Sequence, residues 1–207
     1  MRFTSSLLAL GSLATCVFAQ DSDISTVVSR FTQAKIPSDI GIPFNPSYLM
    51  SATYDFNDWS SFLFQSGSSI KASEMFASPH FDFYGAGEDA YAGPYVVAIV
   101  DLDGGASGQV RRFLASDYVY NWRTGALETA FDGTPGGAPI KYYTNWTQPA
   151  STSRAHRFVF LAFKQSPTFN EQRLVTSNTP TANWSLSSFA NATGLAQPVA
   201  GLFGLVS

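Results

Sequence analysis

The sequence predicts a mainly β fold, and three observations carry that reading. From Pro43 onward, short runs rich in β-branched and aromatic residues are punctuated by Gly, Pro, Ser and Asn. One of them, PYVVAIV at 94–100, is continuously apolar, as expected of a strand buried on both faces. Apolar residues at helical spacing are confined to a few short stretches, and no fixed-period repeat is visible.

The elements follow in order. DSDISTVVSRFTQAKIP (21–37) reads as one amphipathic helix: Asp or Ser caps its start, and Ile24, Val27, Val28 and Phe31 form its stripe. Pro37 is expected to stop it. Its polar side lacks a basic cluster, so the stripe is expected to pack on a sheet rather than on a membrane. Strands are predicted at YLMSATYDF (48–56), SSFLFQS (60–66), HFDFYG (80–85), PYVVAIVDLD (94–103), IKYYTNW (140–146) and HRFVFLAFKQ (156–165). Short helices are expected around Ser73–Phe76, Arg111–Tyr118 and Ser185–Thr193, and a long Gly- and Pro-bearing loop from Asn121 to Pro139.

The first residues, MRFTSSLLALGSLATCVFAQD, combine a positive Arg2, an apolar stretch from Leu7 to Val17 and the small-residue pattern Val17-Phe18-Ala19. That is a secretory signal peptide spanning 1–19, too short for a membrane span. It leaves 20–207 as a single domain, with no later run of transmembrane length. The one cysteine, Cys16, lies inside the signal, so the mature chain is expected to have neither disulfides nor thiolate metal sites. Acidic residues outnumber basic ones by 15 to 12, which argues against nucleic acid or anionic membranes as the main partner. Three sequons, at Asn145, Asn183 and Asn191, point to glycosylation on a secretory route.

Polar chemistry collects in few places. Asp101 and Asp103 directly follow the buried strand and precede Gly104-Gly105. They read either as loop-capping carboxylates or as groups facing His156 and Arg157 across a pocket. Arg111 and Arg112 read either as surface ion pairs or as anion-binding guanidinium groups. There is no G-x-S-x-G elbow, and the only histidines are His80, expected to be an ordinary strand residue, and His156. Gly85-Ala86-Gly87 lacks the spacing of a dinucleotide loop. No metal, no cofactor and no catalytic residue is therefore assigned.

PYVVAIVDLD resembles the "LVMVDPDAP" segment of the phosphatidylethanolamine-binding proteins, and AHRFVFLAFKQ resembles that family's "G-x-HRYVFLL" segment. PFNPSYLMSATY, IKASEMFASPHFDF and SLSSFANATGLAQPVAGLF extend the likeness in the right order over almost the whole mature chain. The resemblance, to a secreted fungal-type member, implies a large central antiparallel sheet packed on a smaller one, with short peripheral helices. It implies a pocket at one end of the sheet that binds small anions. Asp101 and Asp103 match the family's acidic pair, His156 its second-motif histidine, and Arg157 an arginine more often structural there. The chain also departs from the pattern. Leu102 and Gly104-Gly105 stand where the family has prolines, Arg112 replaces a pocket histidine, Phe158 a tyrosine, and Arg154 a glycine. A guanidinium in place of an imidazole makes Arg112 permanently cationic and suits carboxylates or other oxyanions.

The expected function is thus a secreted, non-catalytic protein binding a small anionic molecule or phospholipid headgroup through Asp101, Asp103, Arg112, His156 and Phe158. Two other readings stand beside it. One is an auxiliary or cyclase-like factor in fungal small-molecule biosynthesis of the polyketide and maleic-anhydride-dimer kind, partnered by a biosynthetic enzyme. The other is inhibition of a protease through a surface loop such as 121–139.

Overall fold

Strands with no polar face belong in the interior of a sheet, and the long apolar runs of this chain are found there. The computed structural model describes residues 20–55, 61–105, 108–130 and 138–207. The expected signal peptide at 1–19 and positions 131–137 of the expected long loop lie outside the described residues.

The strands are β1 (Leu49–Asp55), β2 (Ser61–Leu63), β3 (Ser68–Ile70), β4 (His80–Tyr84), β5 (Tyr95–Asp101), β6 (Val110–Tyr120), β7 (Ala126–Glu128), β8 (Lys141–Thr144), β9 (His156–Lys164) and β10 (Ala200–Val206). The helices are α1 (Ile24–Gln33), α2 (Ile36–Ile40) and α3 (Leu186–Thr193). Along the sheet the strand order is β2-β1-β4-β7-β6-β5-β9-β10-β3, with β8 also paired to β6. Every named pair is antiparallel except β10 with β3, which makes the sheet mixed.

The expected large and small sheets are realised as two halves of one curled sheet. They share β6, whose first part pairs with β5 and β8 and whose last residues, Val119 and Tyr120, pair with β7. Aromatic side chains fill the space between the halves: Phe81 meets Phe113 at 5.8 Å and Phe83 meets Tyr95 at 5.1 Å between ring centroids. On the outer face of the β6-β5-β9-β10 half, Val96, Ala98, Val159, Leu161 and Phe163 pack with Val27 and Phe31 of α1, Ile36 and Ile40 of α2, and Leu186 and Phe189 of α3. β5, buried along its whole length, lies between the two cores.

Several sequence expectations are corrected. The helix expected at Arg111–Tyr118 is the central part of β6. Phe113 through Tyr118 are buried on both faces, so no period-2 alternation marks them as strand. The single helix over 21–37 is two helices. Asp23 caps α1 through the Thr26 amide (2.9 Å), Lys35 turns the chain at φ 58°, and Pro37 lies in the first turn of α2 instead of ending a helix. The loop from 121 contains β7. Also, β3 and β10 were not expected. In β10, a Cβ at Gly201 would meet Leu161 Cδ2 at 2.7 Å and the Phe160 carbonyl at 2.8 Å, so close strand packing there requires glycine. The turn at Ala72–Met75 and helix α3 fall where expected, α3 being capped by Ser185.

Candidate functional site

Side-chain alternation sorts the cations at one end of the sheet. In β9, successive residues point to opposite faces. His156 and Phe158 turn towards the space between the sheet halves, while Arg157 turns towards the helices, where it donates to the Ala34 carbonyl (2.8 Å) and Asp39 Oδ2 (2.6 Å). In β6, Ile99 is paired with Phe113 and Val100 with Arg111, so Arg112 is the extra residue of a β-bulge. Arg111 lies on the helix side: its Nε donates to Thr144 Oγ1 (2.6 Å), its Nη2 to the Thr179 carbonyl (2.9 Å), and its guanidinium stands 5.2 Å from the Trp184 ring centre. It is buried with no carboxylate among these partners, and burial lowers its basicity. The bulge then turns Arg112 the other way, a common use of bulges beside binding sites.

Arg112, His156 and Phe158 thereby converge on Asp101, the last residue of β5. Arg112 Nη2 donates to Asp101 Oδ2 at 2.8 Å, and His156 Nδ1 lies 3.3 Å from Oδ1. The Asp103 amide donates to Oδ1 at 3.1 Å. The Asp101 side chain is fully buried, whereas Arg112 and His156 keep 20% and 17% of theirs exposed. The Arg112 guanidinium also stands 5.4 Å from the Phe158 ring centre, within cation–π range. These residues line a cavity of about 240 Å³, closed by Gly104, Val206 and the 148–152 segment, from which Gln148 and Thr152 contribute polar groups. That segment is held by its neighbours: Trp146 Nε1 donates to the Met75 carbonyl (3.1 Å) and Gln148 Nε2 to the Ala72 carbonyl (3.2 Å).

Asp103 lies outside this cavity's lining. It takes a two-pronged bond from Arg157, Nε to Oδ2 at 3.0 Å and Nη2 to Oδ1 at 2.8 Å, with the Arg157 amide adding a third at 2.9 Å. The side-chain bond from Arg157 is the main cause that holds its carboxyl below the usual range. The two aspartates therefore divide the work, Asp101 lining the cavity and Asp103 tying the turn after β5 to Arg157 of β9, which in turn reaches the helices. Arg154 is exposed, and so are Asn145, Asn183 and Asn191. His80, first residue of β4, is exposed and lies 3.2 Å from Asp55. Sequence reasoning did not anticipate Gln148, Thr152 or Val206 in the lining, and no local pattern marks them. Gly104 had a signal, the missing family proline. A Cβ there would collide with the Asp101 carboxylate. Since Asp101 is immobilised by three donors, Gly104→Ala is expected to cost about 1–3 kcal/mol, read as a lower thermal midpoint with altered ligand binding.

No family model matches the sequence, and no curated protein matches it significantly. Among solved structures, the chain is similar to that of a carboxypeptidase Y inhibitor complexed with its cognate proteinase, at 16% identity and TM-score 0.64. The match covers 88% of this chain and 95% of that one. It is also similar to a phosphatidylethanolamine-binding protein from Plasmodium vivax, at 10% identity and TM-score 0.63, covering 87% and 96%. At such identities the likeness establishes the fold, which is that of the phosphatidylethanolamine-binding proteins.

Proposed function

We propose, taking that fold as premise, that this chain is a non-catalytic module binding a small carboxylate- or phosphate-bearing ligand in the Asp101–Arg112–His156 cavity. One observation carries the reading. Among the described residues the one acid lining the cavity, Asp101, is fully buried against its partners, so the groups left partly exposed to a ligand are the Arg112 guanidinium and the His156 ring. Such a cavity suits a hydrogen-bond acceptor. Its volume lies below that of pockets holding drug-sized molecules, so the bound part is a small molecule or a headgroup. The apolar start of the sequence and its three exposed sequons support export along a secretory route.

Native mass spectrometry on protein from its own host should show a co-purified small acidic molecule. Arg112→Ala, which also leaves the buried Asp101 carboxylate without its guanidinium and is therefore assayed below its lowered unfolding midpoint with the fold verified by circular dichroism, should abolish retention of that molecule. Unchanged retention in the variant would remove the cavity from consideration.

A second reading, protease inhibition, is favoured by the fold shared with the carboxypeptidase Y inhibitor. A stoichiometric loss of carboxypeptidase Y activity on mixing would support it, and Arg112→Ala should leave that loss unaffected if a surface loop does the work.

A further inference from the structure

The formal charges around the cavity allow a narrower statement, which rests on the binding reading above. Three arginines occur within the two strand ends, yet alternation and the bulge send Arg111 and Arg157 to the helix side. Only Arg112 remains at the cavity, and Asp101 already opposes its charge at 2.8 Å. The pair is neutral as a unit. Among the described residues lining the cavity, the one remaining source of positive charge is the His156 ring, neutral with one proton and cationic with two.

The surroundings of His156 are otherwise uncharged on the cavity side. β5 contributes Asp101 and β6 contributes Arg112. The register partner on β10 is Val206, and the 148–152 segment presents Gln148 and Thr152. On the far side, Asp103 interacts electrostatically with the ring but is itself paired with Arg157.

We infer that this cavity selects a monoanion over a dianion and takes up a proton, on His156, as the ligand binds. A single negative charge beside a doubly protonated ring leaves the cavity neutral. A second negative charge has no counter-charge in a small site whose remaining polar side chains, Gln148 and Thr152, are neutral, and the desolvation cost of an unpaired charge there is steep. A carboxylate and a phosphodiester share this chemistry: one charge, spread over two oxygens, that the Arg112 and His156 donors can bond. By linkage, an anion that favours the protonated ring binds more tightly as the ring becomes easier to protonate, so affinity rises as pH falls.

Isothermal titration calorimetry on the full mature chain tests this with three probes: benzoate and dimethyl phosphate as monoanions, and sulfate as a dianion. The titrations are repeated between about pH 8 and pH 5.5, in buffers of differing ionisation enthalpy to count protons. At least one monoanion is expected to bind, at least tenfold more tightly than sulfate, with net proton uptake on binding. Whichever monoanion binds better identifies the source, free carboxylate or lipid-type phosphodiester. His156→Gln should bind with an affinity flat in pH. Sulfate binding as tightly as either monoanion, no proton uptake, or an unchanged pH slope in His156→Gln would each overturn the inference and leave the cavity a binding site. Failure of every probe at every pH would overturn the binding reading as well.

Discussion

Asp101→Ala is expected to lower the stability of the fold by ~3–5 kcal/mol, measured as a shift in the urea unfolding midpoint with the slope unchanged. The carboxylate is fully buried and receives Arg112 Nη2, the His156 ring and the Asp103 amide. Its removal strands a guanidinium whose Nε already has no hydrogen-bond partner and is itself buried. The loss should come mainly from that uncompensated cation rather than from a missing attraction. Asp101→Ala combined with Arg112→Leu should therefore cost clearly less than the two single changes added together, by about 1 kcal/mol or more. Strict additivity would show that the pair is not coupled.

Asp103→Ala should cost about 2 kcal/mol by the same measurement, because it breaks a two-pronged guanidinium–carboxylate bond and a third bond to the Arg157 amide. This pair also has a pH signature. The folded state holds the Asp103 carboxyl below its ordinary 3.8, so the unfolded chain binds the proton more readily. Its contribution to stability is complete above the ordinary carboxylate range and is lost as pH falls through the lower folded value. In Asp103→Asn the acid limb of the stability curve should be shallower by up to one proton. An acid limb identical to that of the unchanged chain would mean that Asp103 is not the group responsible.

Much of the architecture could be read from the residues, and the failures have physical causes. PYVVAIV was recognisable because only a doubly covered strand tolerates such a run, and β5 is buried throughout. β6 was misread for a related reason. Burial on both faces erased its alternation, while Arg111, Arg112 and Ser116 gave it the mixed texture of a helix. In β10, Gly201 and Gly204 depress strand propensity, yet the packing of Leu161 and Ile70 against them depends on their lacking side chains. At the site, the likeness to the family over three separate stretches brought Asp101, Arg112, His156 and Phe158 together, and they do line one cavity. The partition of Asp103 to Arg157 could not be read, because it depends on how the turn after β5 faces the helices. The bulge that aims Arg112 left no trace in the sequence either.

β6 runs without interruption from one half of the sheet into the other, and near the changeover Asp117 takes a positive φ of 66° while bonding Gln165, Asn170 and Ser116. The molecule is therefore built like a creased card whose fold line is a covalent spine, not like two plates with a latch. Such an object cannot part its leaves to admit a guest. Entry and exit are therefore confined to the mouth of the cavity at one end of the sheet, where Arg112 and His156 keep part of their side chains exposed.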